Sequence, residues 1–133
     1  MTYIISKDFE ISCSHRLWDD EMTENENKEL FGKCGNAPNH GHNYFVTVTL
    51  RGKKLKNGMI RNFTEVKKIF MEKIDSVYDH HYLNECEPFK SHKLLTTAEN
   101  MCKVFFDILK KDVPELYSIS IKETERSSAM YIE

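Results

Sequence analysis

Two stretches of this chain alternate with the period of a β-strand, and each carries histidine at one end of its apolar face. In residues 9–17, FEISCSHRL, the residues Phe9, Ile11, Cys13, His15 and Leu17 share one face, and Glu10, Ser12, Ser14 and Arg16 share the other. In residues 42–51, His42, Tyr44, Val46, Val48 and Leu50 oppose Phe45, Thr47, Thr49 and Arg51. A period of two marks a half-buried strand. Paired antiparallel, the end of the first strand meets the start of the second, so His15 and His42 come together. His40 stands two residues before His42, and an extended backbone projects it to the same side. Three imidazoles then converge at one end of a sheet. Three neutral nitrogens suit zinc, and three protein ligands leave the open fourth position of a catalytic metal rather than a closed structural site. Cys13 shares the face of His15 and has two readings, a fourth ligand or a small buried hydrophobe.

The connection between the strands is acidic and polar, DDEMTENENKELFGK, and long for a compact domain, as functional connections often are. Two helices are expected after the second strand. In NFTEVKKIFMEKIDSVY, the residues Phe63, Val66, Ile69, Phe70, Ile74 and Val77 form one stripe, with Asn62 as the cap and Glu65 closing a capping box. In TTAENMCKVFFDILKK, Thr96 and Glu99 form the box, and Ala98, Met101, Cys102, Phe105, Ile108 and Leu109 face inward, with Pro114 marking the end. The alternation returns in LYSISIKE, which places Tyr117, Ile119, Ile121 and Glu123 on one face. The order of strands, two helices and strands indicates an α+β fold with an antiparallel sheet.

Two acidic positions call for a partner. Asp79 and His80, in YDHHYLN, can form a carboxylate–imidazole pair that orients a base, or the histidine can offset the dipole at a helix end. Glu123 puts a carboxylate beside Ile119 and Ile121 on an apolar face, which is costly unless a cationic or N–H-rich group meets it. A ligand with two adjacent N–H donors would serve.

With 133 residues the chain is expected to be one domain spanning 1–133. Its 19 basic and 21 acidic residues nearly cancel and no basic stripe appears, which argues against a nucleic-acid partner. No apolar run approaches the roughly 20 residues of a membrane span. The start, MTYIISKDFE, is charged and lacks a signal-peptide core, so a cytoplasmic location is expected, with cysteines 13, 34, 86 and 102 as free thiols.

Taken together, ISCSHRL, FGKCGNAPNHGHNY, GMIRNF, DHHYLN, TTAEN and KET resemble, in order and over nearly the whole chain, the family of 6-pyruvoyltetrahydropterin and 6-carboxytetrahydropterin synthases, of the T-fold class. The resemblance implies a four-stranded antiparallel sheet with two helices on one face. It also implies subunits closing as trimers into a barrel, and a homohexamer of two trimers with active sites between subunits. It makes His15, His40 and His42 the Zn2+ ligands and Cys34 the general base, with Asp79 and His80 as its catalytic partners. Glu123 and Thr97 would bind the pterin. The implied activity is that of a zinc-dependent carbon–oxygen lyase, which converts 7,8-dihydroneopterin triphosphate to 6-pyruvoyltetrahydropterin and eliminates triphosphate. Cys34 precedes His40 by six positions, the spacing of the pyruvoyl form; in the carboxy enzyme of queuosine biosynthesis the distance is four. DHHYLN and KET are nearer that second enzyme, which cleaves the side chain and releases acetaldehyde. A non-catalytic pterin- or metal-binding T-fold relative is the third reading. Two positions depart from the family pattern: Asn62 stands for an Asp, and Cys13 for a small Ala.

Overall fold

The structure, a computed structural model, describes residues Met1–Glu133. Strand β1 spans Tyr3–His15 and β2 spans His40–Gly52, both longer than their alternating cores. Strands β3 (Leu116–Thr124) and β4 (Ser127–Ile132) complete one sheet in the order β1-β2-β3-β4, antiparallel throughout. Helix α4 (Ala98–Lys110) packs on β3 and β4, and α2 (Phe63–Phe70) packs toward β1. This is the expected T-fold arrangement. The core lies between helices and sheet, where Ile11, Tyr44, Val46, Val48, Ile119 and Ile121 meet Phe70, Ile74, Met101 and Phe105. No helix is long and apolar enough to cross a membrane.

Five local readings change. The polar connection holds a helix, α1 (Glu24–Phe31), whose N-cap Thr23 and Glu26 form a reciprocal capping box. The signal T-E-N-E was present, but the helix lacks an apolar stripe. Asn62 does cap α2, accepting from the Thr64 N–H, yet Glu65 turns to Arg61 instead of closing a box. After α2 the chain continues through a π-helical turn, Met71–Asp75, into the short α3 (Ser76–Tyr78). A wider turn takes up extra residues and shifts the helical phase. Val77 therefore leaves the stripe at 42% exposure and Tyr78 enters it at 1%, while Phe63, at the free first turn, is 46% exposed. In α4 the cap is Thr97, whose hydroxyl accepts from the Asn100 N–H, so the expected Thr96–Glu99 box does not form. A register shift between Thr49 and Leu50 opposite Tyr117 brings Leu116 into the core, and Tyr117 instead lies under the Arg51 guanidinium.

The face of the sheet without helices carries exposed Ile4, Phe45, Met130 and Ile132, and β4 has no partner along its outer edge. An unpaired edge beside exposed apolar residues is an association surface.

Candidate active site

The register of β1 and β2 builds the site. His15 pairs with His40 and Cys13 with His42, so all three imidazoles stand on the core side at one end of the sheet. Ring centroids are 4.5 Å apart for His15–His40, 5.2 Å for His15–His42 and 4.9 Å for His40–His42. His15 is fully buried, and its Nδ1 lies 2.7 Å from the Thr96 carbonyl oxygen. A carbonyl only accepts, so Nδ1 carries the proton and Nε2 turns its lone pair into the cluster. Burial lowers the pKa of both His40 and His42 from the usual imidazole value; the Glu123 carboxylate opposes this and the neighbouring rings add to it, and the net fall leaves both with a free lone pair at neutral pH.

Glu123, near the end of β3, reaches the same point. Its Oε1 lies 3.2 Å from His15 Nε2 and 3.1 Å from His42 Nε2. The donor atoms of His15, His40, His42 and Glu123 all lie within 4.8 Å of one another. His15 Nε2, His42 Nε2 and both His40 nitrogens are buried without a hydrogen-bond partner. Buried polar atoms left unpaired are costly, and a ring of unpaired nitrogens beside a carboxylate is what a divalent metal ion satisfies. The residues present fit such an ion.

Cys34 sits in a short 3-10 turn, Gly32–Gly35, with its residue exposed. The turn is held from β1's continuation: the Leu17 N–H donates to the Cys34 carbonyl at 2.9 Å, and Arg16 Nε donates to the Gly35 carbonyl at 2.9 Å. A Cβ on Gly35 would lie 3.0 Å from the Leu17 carbonyl oxygen, so the close approach needs glycine. Cys34 is within electrostatic range of the buried Tyr44 hydroxyl. Burial first, then Glu123, Cys13 and Cys34, push that hydroxyl far above the usual phenol range.

Asp79 and His80 form the expected pair, with His80 Nδ1 2.9 Å from Asp79 Oδ2. The pair runs along the outer edge of β1. The Ser12 N–H donates to Asp79 Oδ1 at 2.8 Å, and the His80 N–H donates to the Ser12 carbonyl at 2.6 Å. Burial would raise the Asp79 pKa; the Ser12 N–H and the His80 ring outweigh it and lower the value. His80, in a left-handed backbone conformation (φ 60°), exposes 79% of its side chain to a shallow groove whose lining includes Ser12, Cys13, Ser14, His42 and Asn43. Of these, Ser12, Ser14 and Asn43 have the strand phase opposite to Cys13 and His42. No hydrogen bond or ion pair joins Asp79 or His80 to Cys34 or to the three rings. One chain thus gathers His15, His40, His42 and Glu123, and leaves Asp79–His80 apart.

Thr97 is half-buried at the start of α4, next to the residue that holds His15. The sequence reading missed Thr96 and Asn84. Asn84 donates to the Arg16 carbonyl, accepts from the Arg16 N–H, and accepts from the Thr96 hydroxyl. It therefore ties the support of the Cys34 turn to the support of His15, and no residue pattern signals such a link. Cys13 is 4% exposed, its thiol donates to the Tyr78 carbonyl, and burial, followed by the charge of Asp79, pushes the thiol up to about 12. It is a buried hydrophobe and not part of the donor set. Cys13→Ala is expected to leave turnover within about twofold and to cost about 1 kcal/mol of stability, the scale of one lost hydrogen bond. Steady-state rates beside a urea melt check both; a large fall in kcat would return Cys13 to the chemistry.

Comparison with known proteins covers the same ground. The family described as "6-pyruvoyl tetrahydropterin synthase" matches residues 4–133. A 6-pyruvoyl tetrahydrobiopterin synthase of Homo sapiens is 35% identical over 130 residues, covering 96% of this chain and 89% of that protein. One of Dictyostelium discoideum is 36% identical over 132 residues, covering 98% and 96%. The solved structure of the Caenorhabditis elegans 6-pyruvoyl tetrahydropterin synthase superimposes with a TM-score of 0.91 at 33% identity, covering 100% of this chain and 96% of that one. The family match, the sequence identity and the superposition all extend over essentially the full length, and the chain belongs to the 6-pyruvoyl tetrahydropterin synthase family.

Proposed function

We propose that this protein is a lyase that converts 7,8-dihydroneopterin triphosphate to 6-pyruvoyltetrahydropterin with elimination of triphosphate. The observation that carries the reading is the set of three converging imidazoles whose ring nitrogens lack partners, in a chain that also presents the exposed thiol of Cys34. His15, His40 and His42 would hold the metal, and three nitrogen donors favour zinc. Bound there, the ion supplies Lewis acidity to the substrate's side-chain hydroxyls. Cys34 acts as general base on the side-chain carbon next to the ring. Asp79 orients His80, which completes the proton relay. Glu123 holds the pterin's ring N–H and 2-amino group, and Thr97 borders the same pocket. The electrons that oxidise the side chain reduce the ring, so no redox cofactor is required.

Because Asp79–His80 is bonded to the outer edge of β1 and to neither Cys34 nor the three rings, the relay is completed by a neighbouring copy. The exposed apolar residues and the open edge of β4 support closure of three sheets into a barrel and a hexamer of two trimers. Light scattering at micromolar concentration is expected to give a hexamer; a monomer would count against the intersubunit relay.

Purified protein given dihydroneopterin triphosphate is expected to release triphosphate without acetaldehyde. Acetaldehyde would indicate the carboxy reaction, and neither product would indicate a binding protein. The six-residue spacing from Cys34 to His40 and the 6-pyruvoyl names of the curated relatives favour the first outcome. Glu123→Gln replaces one acceptor with a donor facing the pterin's own donors. It is expected to weaken pterin binding by about 2–4 kcal/mol, the scale of a broken charge-assisted pair, as read by titration with a fluorescent pterin. Unchanged affinity would move the pterin elsewhere.

A further inference from the structure

We propose that Glu123 caps the metal position while the site is empty of substrate and leaves it when a pterin ring binds. The inference rests on the reading of Glu123 as the pterin's anchor and adds a second role for the same carboxylate. Glu123 Oε1 stands 3.2 Å from His15 Nε2 and 3.1 Å from His42 Nε2. Neither contact has hydrogen-bond alignment, because both nitrogens are without a partner. The proton of His15 is committed to the Thr96 carbonyl, so Nε2 faces the carboxylate with a lone pair. Two lone pairs at that distance repel unless a cation lies between them. The separation is also that of a donor set around one ion: four donors at about 2.0–2.1 Å in a tetrahedron stand about 3.3 Å apart.

A carboxylate in that place closes the site, whereas a catalytic metal needs an open position. The pterin ring resolves the conflict. Its ring N–H and 2-amino group offer the carboxylate two donors, and a carboxylate engaged with both turns away from the histidines. One movement then anchors the ring and frees the coordination position that a side-chain hydroxyl must take. In the empty protein the same carboxylate shuts out stray anions. The backbone allows the movement, because the pairing of β3 with β4 is irregular between Lys122 and Thr124, on either side of Glu123. The side chain is also 26% exposed and not locked in the core.

Protein loaded with cobalt(II) in place of the native metal tests both halves through its visible d–d bands and its uptake of thiocyanate, which needs a free coordination position. The empty wild-type protein is expected to take thiocyanate at least about tenfold more weakly than Glu123→Gln, the smallest change usual for altering a metal's surroundings. Saturating the wild type with unsubstituted pterin, which has no side-chain hydroxyls to reach the metal, is expected to shift its bands toward those of the empty variant. Equal thiocyanate affinity in empty wild type and variant overturns the cap. Bands unmoved at saturating pterin overturn the exchange. A variant that fails to hold cobalt under conditions that load the wild type identifies Glu123 as a ligand and supports the cap. Pterin affinity, measured separately on metal-free protein, judges the anchoring role: equal affinity in wild type and variant defeats that role while the thiocyanate comparison still reads the cap.

Discussion

Cys34→Ala is expected to keep its metal and its affinity for substrate while losing turnover by about 10²–10⁴-fold, the usual contribution of a positioned proton-transfer group. The structure makes this a clean removal. The turn carrying Cys34 is held through the main chain, by Leu17 on the Cys34 carbonyl and by Arg16 on the Gly35 carbonyl, and the exposed thiol has no structural partner. Alanine therefore leaves the backbone in place and deletes the chemistry alone. The loss should fall on kcat, with KM and metal content near wild type. A variant with near-normal kcat, or one that had shed its metal, would take the base assignment away from Cys34.

His42→Ala is expected to empty the metal site and reduce turnover to background while the chain stays folded. The ring is one of three imidazole donors, and two histidines beside an exchangeable carboxylate are a poor tetrahedral site. Folding survives because the core is built elsewhere, from the aliphatic and aromatic residues between helices and sheet, and the His42 side chain is itself 20% exposed. Elemental analysis and far-UV circular dichroism on one sample separate the two effects. Full metal occupancy in this variant would remove His42 from the donor set. The wild type also has a pH signature. Burial lowers the pKa of His40 and His42 below the ordinary 6.5, so protons compete for these lone pairs only in more acid solution than for a free imidazole. Metal is expected to stay bound as pH falls through 6.5 and to leave below it; release already complete at neutral pH would contradict the burial argument.

Much of the site was legible before any coordinates. Period-two alternation is a property of the local backbone, so placing His15 and His42 on the apolar face of their strands needed only residue order and the pleat. The same logic put Glu123 and Cys13 on the apolar face of their strands, and the folded chain then chose the buried reading of Cys13 over the ligand one. Capping chemistry was legible where a side chain meets its own helix end, as at Asn62. It failed by one residue at Thr96, because the choice between two adjacent threonines was made by a distant ring that needed a carbonyl.

What the tertiary structure alone decided shares one physical cause: each feature depends on a partner far away in the chain. Asn84 meets the main-chain N–H and carbonyl of Arg16, groups that every residue possesses, and the hydroxyl of Thr96, so no local pattern announces the link. The π-helical turn that exchanges Val77 for Tyr78, and the register shift that brings in Leu116, are phase slips set by what must pack against the sheet, and a strict period cannot contain them. Asp79–His80 was readable as a pair, but its seat on the outer edge of β1 depends on which main-chain groups of Ser12 that edge left unpaired. Residue order foretold that Glu123 would need a partner on an apolar face; only the folded chain placed it against His15 and His42, because the distance between β3 and the two histidine strands is fixed by sheet pairing and by no local pattern.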